Sequence, residues 1–344
     1  MTTMRAAVID GPGRLSVREV DRAEPGPGEV LVRIEYCGIC GTDLHASLEG
    51  WMPAGTVGGH EWSGRVVSVG SDVTQWSAGD AVVGGPPWCG ECQWCRAGRP
   101  ALCVADPIRG DGPVHSGGFA EFHLASAASL HAVPDGLDLR AAALSEPLAV
   151  ALHGITAANL ARGPKGVRIL VSGGGPLGQL VTAALLADGA DKVTVSEPSE
   201  ARRKQAVQVG AQTVVAPGDL PAPPALPTEA HQDGFDVVIE TSGVEAAVTT
   251  GLALLRPAGT LVLLGTGAMT VRMDAIRILL NELVVTGAYC YDAGGIDTAL
   301  ALLASGRLPL DALMPPTDVG LDDLLDTMNR LQAGDIPTKA LVRP

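Results

Sequence analysis

Strict alternation of apolar and polar positions marks the first 150 residues as β-rich. MRAAVID and LSVREV flank the turn GPG as a hairpin, and EVLVRIEYCGI and GRVVSVG alternate in the same way. From about Gly154 the period changes. VRILVSG (Val167–Gly173) reads as a buried strand, PLGQLVTAALLADGA as a helix, KVTVSE as a strand and ARRKQAVQVGA as a helix. TVV, DVVIETSG, TLVLLG and LVVTGAY follow as short apolar strands with helical stretches between several of them. Strands alternating with helices predict a parallel sheet covered on both faces. The last fifty residues (IDTALALLASGRLPL, LDDLLDTMNRLQAG, KALVRP) read as helices and a closing strand that returns to the first domain. The expected fold class is therefore α/β, with a β-rich domain made of residues 1–153 and 290–344. A doubly wound parallel-sheet domain covers residues 154–289. APGDLPAPPALPTEAHQDG, Ala216 to Gly234, carries five prolines and is expected to be a surface loop.

A length of 344 residues fits two domains, and 46% hydrophobic residues is a globular composition. The longest apolar runs, such as LVTAALLA (Leu180–Ala187), are too short to span a membrane. MTTMRAAVIDG lacks the apolar stretch of a secretory signal, so a cytoplasmic location is expected. In a reducing compartment, clustered cysteines favour metal over disulfides. A net charge of −14 argues against nucleic acid as a partner, because that binding needs a basic face.

Two groups of residues carry candidate chemistry. Gly173-Gly174-Gly175-Pro176-Leu177-Gly178 fits G-x-G-x-x-G between a strand and a helix, and Glu197 ends the next strand nineteen residues after Gly178. Backbone N–H groups at that helix start suit a pyrophosphate. A carboxylate at Glu197 would accept from a ribose diol and repel a 2′-phosphate, which favours NAD over NADP. Arg202 and Arg203 nearby could instead neutralise such a phosphate. The second group is scattered: CGTDLH holds Cys40, Thr42, Asp43 and His45, GHEWSG holds His60 and Glu61, and SEPLAVALHG holds Glu146 and His153. Thiolate, imidazole and carboxylate are the ligand types of a catalytic zinc with an open position. WCGECQWCRAGRPALC adds Cys89, Cys92, Cys95 and Cys103, whose four thiolates would fill a tetrahedral zinc completely and leave it structural.

With these motifs together, the chain resembles the zinc-dependent medium-chain alcohol and polyol dehydrogenases over essentially its full length. GHEWSGRVVSVGSDV matches the family's zinc signature, CGTDLH its first-ligand segment, and the four cysteines its second zinc lobe, about residues 85–105. The resemblance implies a GroES-like catalytic domain and a Rossmann domain, two zinc ions per chain and NAD, with NADP the less favoured cofactor. Cys40, His60 and Glu146 match the catalytic zinc ligands. Glu61 matches an acid that in some members swings in to ligate. Thr42 matches the hydroxyl that contacts the substrate alcohol, His45 the outer end of a proton relay through the cofactor ribose, and Asp43 the acid behind the histidine ligand. Gly173, Gly175, Pro176, Leu177, Gly178, Glu197, Arg202 and Gly265 are the implied cofactor contacts. The implied reaction is hydride transfer from a zinc-activated secondary alcohol to NAD, or the reverse reduction of a ketone.

Substrate is where the pattern departs from the family. The polyol branch places an Arg where GAYCYDAGG has Cys290, and classical alcohol dehydrogenases place an Arg where Gly41 stands. GHEWSG is also similar to aminocyclitol-forming dehydrogenases, so a ring-borne alcohol stays in play. Trp51, Trp62, Phe119 and Tyr289 are candidates for an apolar pocket mouth. Cys37, Cys290, His115, His123, His131, His153 and His231 are expected to be structural. A zinc-free reductase of the same fold and a zinc-binding interaction module are competing readings. The first leaves Cys40, His60 and Glu146 unexplained, and the second leaves the phosphate loop so. Edge pairing around Leu283–Ala288 would give a homodimer or homotetramer.

Overall fold

A computed structural model describes residues 2–86, 88–104, 117–160, 163–267 and 270–344. His115, Pro87 and the far end of the cysteine lobe lie outside them. The chain opens with β1 (Thr3–Gly11) and β2 (Arg14–Asp21), paired antiparallel as expected. Next come β3 (Glu29–Gly38), α1 (Gly41–Leu48), β4 (Glu61–Val69), β5 (Ala81–Gly84), α2 (Gln93–Arg96), β6 (Phe122–Ser126) and β7 (Leu130–Ala132). Two helices, α3 (Leu139–Ala142) and α4 (Ser145–Ala157), lead into the second half.

That half runs β8 (Ile169–Ser172), α5 (Pro176–Ala187), β9 (Val193–Ser196), α6 (Glu200–Val209), β10 (Thr213–Val215), β11 (Phe235–Glu240) and α7 (Glu245–Ala253). It continues with β12 (Leu255–Leu263), α8 (Ala275–Leu280) and β13 (Val284–Gly287). All six strands are parallel, in the order β10-β9-β8-β11-β12-β13. The order reverses between β8 and β11, and ligands of such sheets bind outside the carboxyl ends at that point. The near-continuous burial of β8 and the inner residues of β11 is what two covering helical layers require.

The tail contains α9 (Gly295–Ala304), α10 (Leu310–Leu313), α11 (Leu324–Ala333) and β14 (Leu341–Val342). It divides between two cores. Ile296, Ala299, Leu300 and Leu303 of α9 join the apolar cluster that holds Leu148, Ile169 and Leu180. Leu324, Met328 and Leu331 of α11 join the cluster of Val30, Val32 and Phe119. β14 pairs antiparallel with β3, at Leu341↔Gly38 and Val342↔Cys37, and extends the antiparallel sheet β14-β3-β4-β5-β7. This last strand brings the segment 337–340 against the start of α1.

The proline-rich stretch is a surface connection with anchors. Arg277 Nη2 donates to the carbonyls of Pro224 and Leu226, and Asn281 Nδ2 to that of Pro227. Among the described residues no helix is long and apolar enough to cross a membrane.

Candidate active site

Cys40 is the N-cap of α1, with the extended backbone that a cap requires. Asp43, three residues on, accepts from the Cys40 amide at 2.9 Å through Oδ2 and from the Gly59 amide at 3.1 Å through Oδ1. One buried carboxylate thereby ties the start of α1 to the turn before His60. That turn needs Gly59, whose φ is +93° and where a Cβ would meet Cys37 Sγ at 2.8 Å. His60 Nδ1 then lies 3.6 Å from Asp43 Oδ1. Burial raises the Asp43 pKa, but the His60 charge and the two amides override it and hold it below the ordinary carboxylate value. Burial likewise works against protonated His60. Asp43 and Cys40 outweigh it and hold the imidazole well above its usual pKa. The His60 side chain is 44% accessible.

Ligand atoms of Cys40, His60 and Glu61 all lie within 4.8 Å of one another. Glu61 is 1% exposed, and its two oxygens differ. Oε1 accepts from Lys339 Nζ at 2.6 Å, whereas Oε2 is buried without a hydrogen-bond partner. An orphaned carboxylate oxygen beside a thiol and an imidazole suits a zinc ion in donor type and in charge. Glu146, expected as the third ligand, does not join this tight group, whereas Glu61, also expected as a ligand, does. The reason is local: Glu61 directly follows His60, while Glu146 comes from the first turn of α4. Glu146 still faces the same charges. Burial pushes its carboxyl up to about 7, against the pull of His60. Thr42 Oγ1 stands 3.7 Å from Cys40 Sγ, and His45, one turn later, stacks on Trp51 with ring centroids 4.4 Å apart.

Lys339 has no forewarning in the motifs. It is 5% exposed and donates to the Ile39 carbonyl at 3.0 Å as well as to Glu61. Burial opposes its charge, yet Glu61 and Cys40 hold its pKa above the ordinary lysine value. A lone lysine inside the apolar closing stretch TKALV is the one signal that could have found it.

The four cysteines of the lobe also converge within 4.8 Å. Cys103 and Cys89 sulfurs are 3.4 Å apart, far beyond a disulfide bond of about 2 Å, and none of the seven cysteines is paired. The Cys89 amide donates to Cys103 Sγ and the Cys92 amide to Cys89 Sγ. Amides of Cys95 and Val104 lower the Cys92 thiol to about 6. Four sulfurs with backbone donors aimed at them fit a closed metal site.

Gly173-Gly174-Gly175 joins β8 to α5, with Gly175 as N-cap and Pro176 at the first helical position. Leu177 packs on the main core. Any Cβ at Gly178 would run into the Gly173 carbonyl, which explains the third glycine as a close approach. Glu197 is 4% exposed, its Oε2 accepts from the Gly174 amide at 2.7 Å and its Oε1 from the Ser199 amide at 2.8 Å. The carboxylate fastens the phosphate loop to the start of α6. Arg202 leans on the same loop, with Nη2 donating to the Leu331 carbonyl and Nε buried without a partner. Arg203 is spent on the carbonyls of Glu197 and Pro198. At Gly265 a Cβ would collide with the Gly243 amide, so this glycine serves backbone packing at the end of β12.

A cavity of about 350 Å³ lies between the lobe and the carboxyl ends of the parallel strands. Arg99, Ala101 and Leu102 line one side, and His153, Leu263 and Gly287 to Tyr289 the other. Of the four aromatic candidates, only Tyr289 lines it. Trp62 and Phe119 are core residues, 5% and 1% exposed, and Trp51 covers His45. Among the expected structural histidines, His123 packs edge-on to Trp62, and His131 contacts Asp297 at 2.8 Å. His153 lies 3.8 Å from Asp292.

Comparison with known proteins agrees with both halves. The alcohol dehydrogenase GroES-like domain family matches residues 26–135, and the zinc-binding dehydrogenase family matches residues 176–305. The chain is 35% identical over 326 residues to the 2-dehydro-3-deoxy-L-galactonate 5-dehydrogenase of Pseudoalteromonas atlantica, covering 92% of this chain and 93% of that one. It is 34% identical over 332 residues to the D-altritol 5-dehydrogenase of Agrobacterium fabrum, covering 91% and 94%. A zinc-binding dehydrogenase of Sinorhizobium meliloti solved with NADP superimposes with a TM-score of 0.86 at 32% identity, over 100% of both chains. Shared sequence over both domains, and a convergent nitrogen, sulfur and oxygen donor set, make this chain an oxidoreductase that belongs to the zinc-dependent medium-chain dehydrogenases.

Proposed function

We propose that the chain oxidises a secondary alcohol within a polyol, cyclitol or similar chain or ring to the ketone, or runs the reverse, with NAD(H). One observation carries this reading: ligand atoms of Cys40, His60 and Glu61 converge within 4.8 Å of one another. The 5-dehydrogenase relatives, named for an interior carbon of a six-carbon chain, support a secondary rather than a primary alcohol.

Cys40 and His60, with Glu146 or Glu61, would hold one zinc, and Cys89, Cys92, Cys95 and Cys103 a second. Bound zinc would supply a Lewis acid for the substrate hydroxyl, and the nicotinamide a hydride acceptor. Thr42 takes the hydroxyl proton, and His45, three residues on along α1, releases it to solvent. Asp43 fixes the ring of His60 and raises its basicity as a ligand. Glu197 keeps the phosphate loop in shape by holding the Gly174 amide. The cavity walled by Tyr289, His153 and Leu102 receives the rest of the substrate.

Arg202, cationic and with a buried unpartnered Nε beside the loop, favours NADP(H) as a second reading. A panel of secondary alcohols, diols and cyclitols, run with each cofactor, tests both: a higher kcat/KM with NAD supports the first, and a higher value with NADP the second. Dimerisation through the edge strand β13 is supported by exposed Val284, Leu279, Leu280 and Ile276 on β13 and α8. Light scattering at a mass near one chain would contradict it.

A further inference from the structure

Gln179 stands in the first turns of α5, 1% exposed, and its amide joins the two halves of the chain. Nε2 donates to the Gly174 carbonyl of the phosphate loop at 3.0 Å, and to the Pro337 carbonyl on the segment that leads into β14. Two carbonyls fix which way the amide faces, and they leave Oε1 buried without a hydrogen-bond partner. The fold carries the cost of that orphaned acceptor where the loop and the closing segment share a donor. A trans peptide points its carbonyl and its amide in opposite directions. With the Gly174 carbonyl turned to Gln179, the Gly175 N–H turns away, and no described residue accepts from it. It is left for the pyrophosphate that such loops bind. At the other end, Ile39, the residue before Cys40, donates its amide to the Ala340 carbonyl at 3.0 Å. Arg202, which reaches the Leu331 carbonyl, lies outside this route.

We propose that Gln179 is a positioning residue that couples the two halves: cofactor phosphate seated on the Gly175 amide tightens the hold on Pro337 and stiffens segment 337–343 beside Cys40. A peptide N–H that donates to an anion polarises its own carbonyl, so the Gly174 carbonyl becomes a stronger acceptor once the Gly175 N–H is bound. The gain passes to Gln179, already set between both carbonyls, and lowers the freedom of the closing segment. By linkage the reverse holds, and order in that segment favours cofactor binding.

This inference rests on the reading of the loop as the cofactor's phosphate site. The test is hydrogen exchange of the full chain, read on peptides covering residues 335–343 and, as reference, the β1–β2 hairpin. ADP-ribose is the probe, since it carries the pyrophosphate and lacks the nicotinamide. Bound to the wild-type protein it slows exchange at 335–343 on the order of tenfold, an ordinary size for coupling between sites, and leaves the hairpin unchanged. In Gln179→Met, which keeps the bulk and removes the donor, saturating ADP-ribose leaves 335–343 within about twofold of the free protein. Gln179→Glu, which keeps the shape and sets an acceptor against both carbonyls, gives the same loss and serves where the methionine variant does not fold. Saturation of the wild-type protein without slowing at 335–343 overturns the proposal, and so does slowing of the full size in either variant. Adenosine, which brings no phosphate, leaves 335–343 at the rate of the free protein, and slowing by adenosine overturns the route through the Gly175 amide. Failure of ADP-ribose, NADH and NADPH alike to bind the wild-type protein would instead overturn the reading of the loop, and the coupling with it.

Discussion

At Asp43 a single carboxylate does three things: it caps α1 at Cys40, holds the Gly59 turn and faces His60. Asp43→Asn keeps the size and removes the charge. It should weaken zinc binding at the Cys40 site by about 10- to 100-fold while the four-cysteine site is unaffected, as read by metal titration. His123 gives a different kind of signal. Burial depresses its pKa to about 4, from 6.5 unperturbed. The unfolded chain therefore binds the proton first, and stability from the neutral ring is complete above about pH 6.5 and lost as pH falls toward about 4. His123→Phe should flatten that fall by about 1–2 kcal/mol in denaturant titrations across the window. Cys40, Thr42, Asp43, His60 and Glu61 were legible because each sits in a short motif that folds on itself. Lys339 was not, because its partner lies 278 residues away and only the tertiary fold joins them.

Strands and helices of the second half were readable from their period because both faces of the sheet are covered. The start of α5 was readable from the turn chemistry of Gly175 and Pro176, whereas the helix read over ARRKQAVQVGA stops at Gly210, which is left-handed. The phosphate turn is the most demanding of these. Gly178→Ala must push the Gly173 carbonyl aside, and overpacking of that sort costs about 1–3 kcal/mol. If the strain falls on the cofactor site, Kd for the nicotinamide rises about 5- to 150-fold with the far-ultraviolet spectrum unchanged. Fluorescence titration measures it, and an unaltered Kd would mean that the loop does not hold the phosphates. The division of the tail was not legible: α9 and α11 are both amphipathic, and no local pattern says which of two cores each will cover. The anchoring of Glu197 was not legible for a related reason. Its place at the end of β9 is plain in the sequence, but its capture by the Gly174 and Ser199 amides depends on how the loop closes over it.

For the molecule as a whole, the dense cysteine lobe and the sparse Cys40 cluster are separate donor sets with separate tasks. The lobe packs beside the cavity through Arg99, Ala101 and Leu102. Around His60 stand the Cys40 thiol and the Glu61 and Asp43 carboxylates, with the one buried ammonium of Lys339 beside Glu61, an acidic excess that a divalent cation would relieve. The account stands on that cluster being a metal site distinct from the lobe. Metal content and turnover of Cys40→Ala measured beside the wild-type protein test it most directly. The account predicts two zinc ions per wild-type chain, and one zinc with lost turnover in a folded Cys40→Ala variant. A Cys40→Ala variant that keeps both its zinc content and its turnover would contradict it.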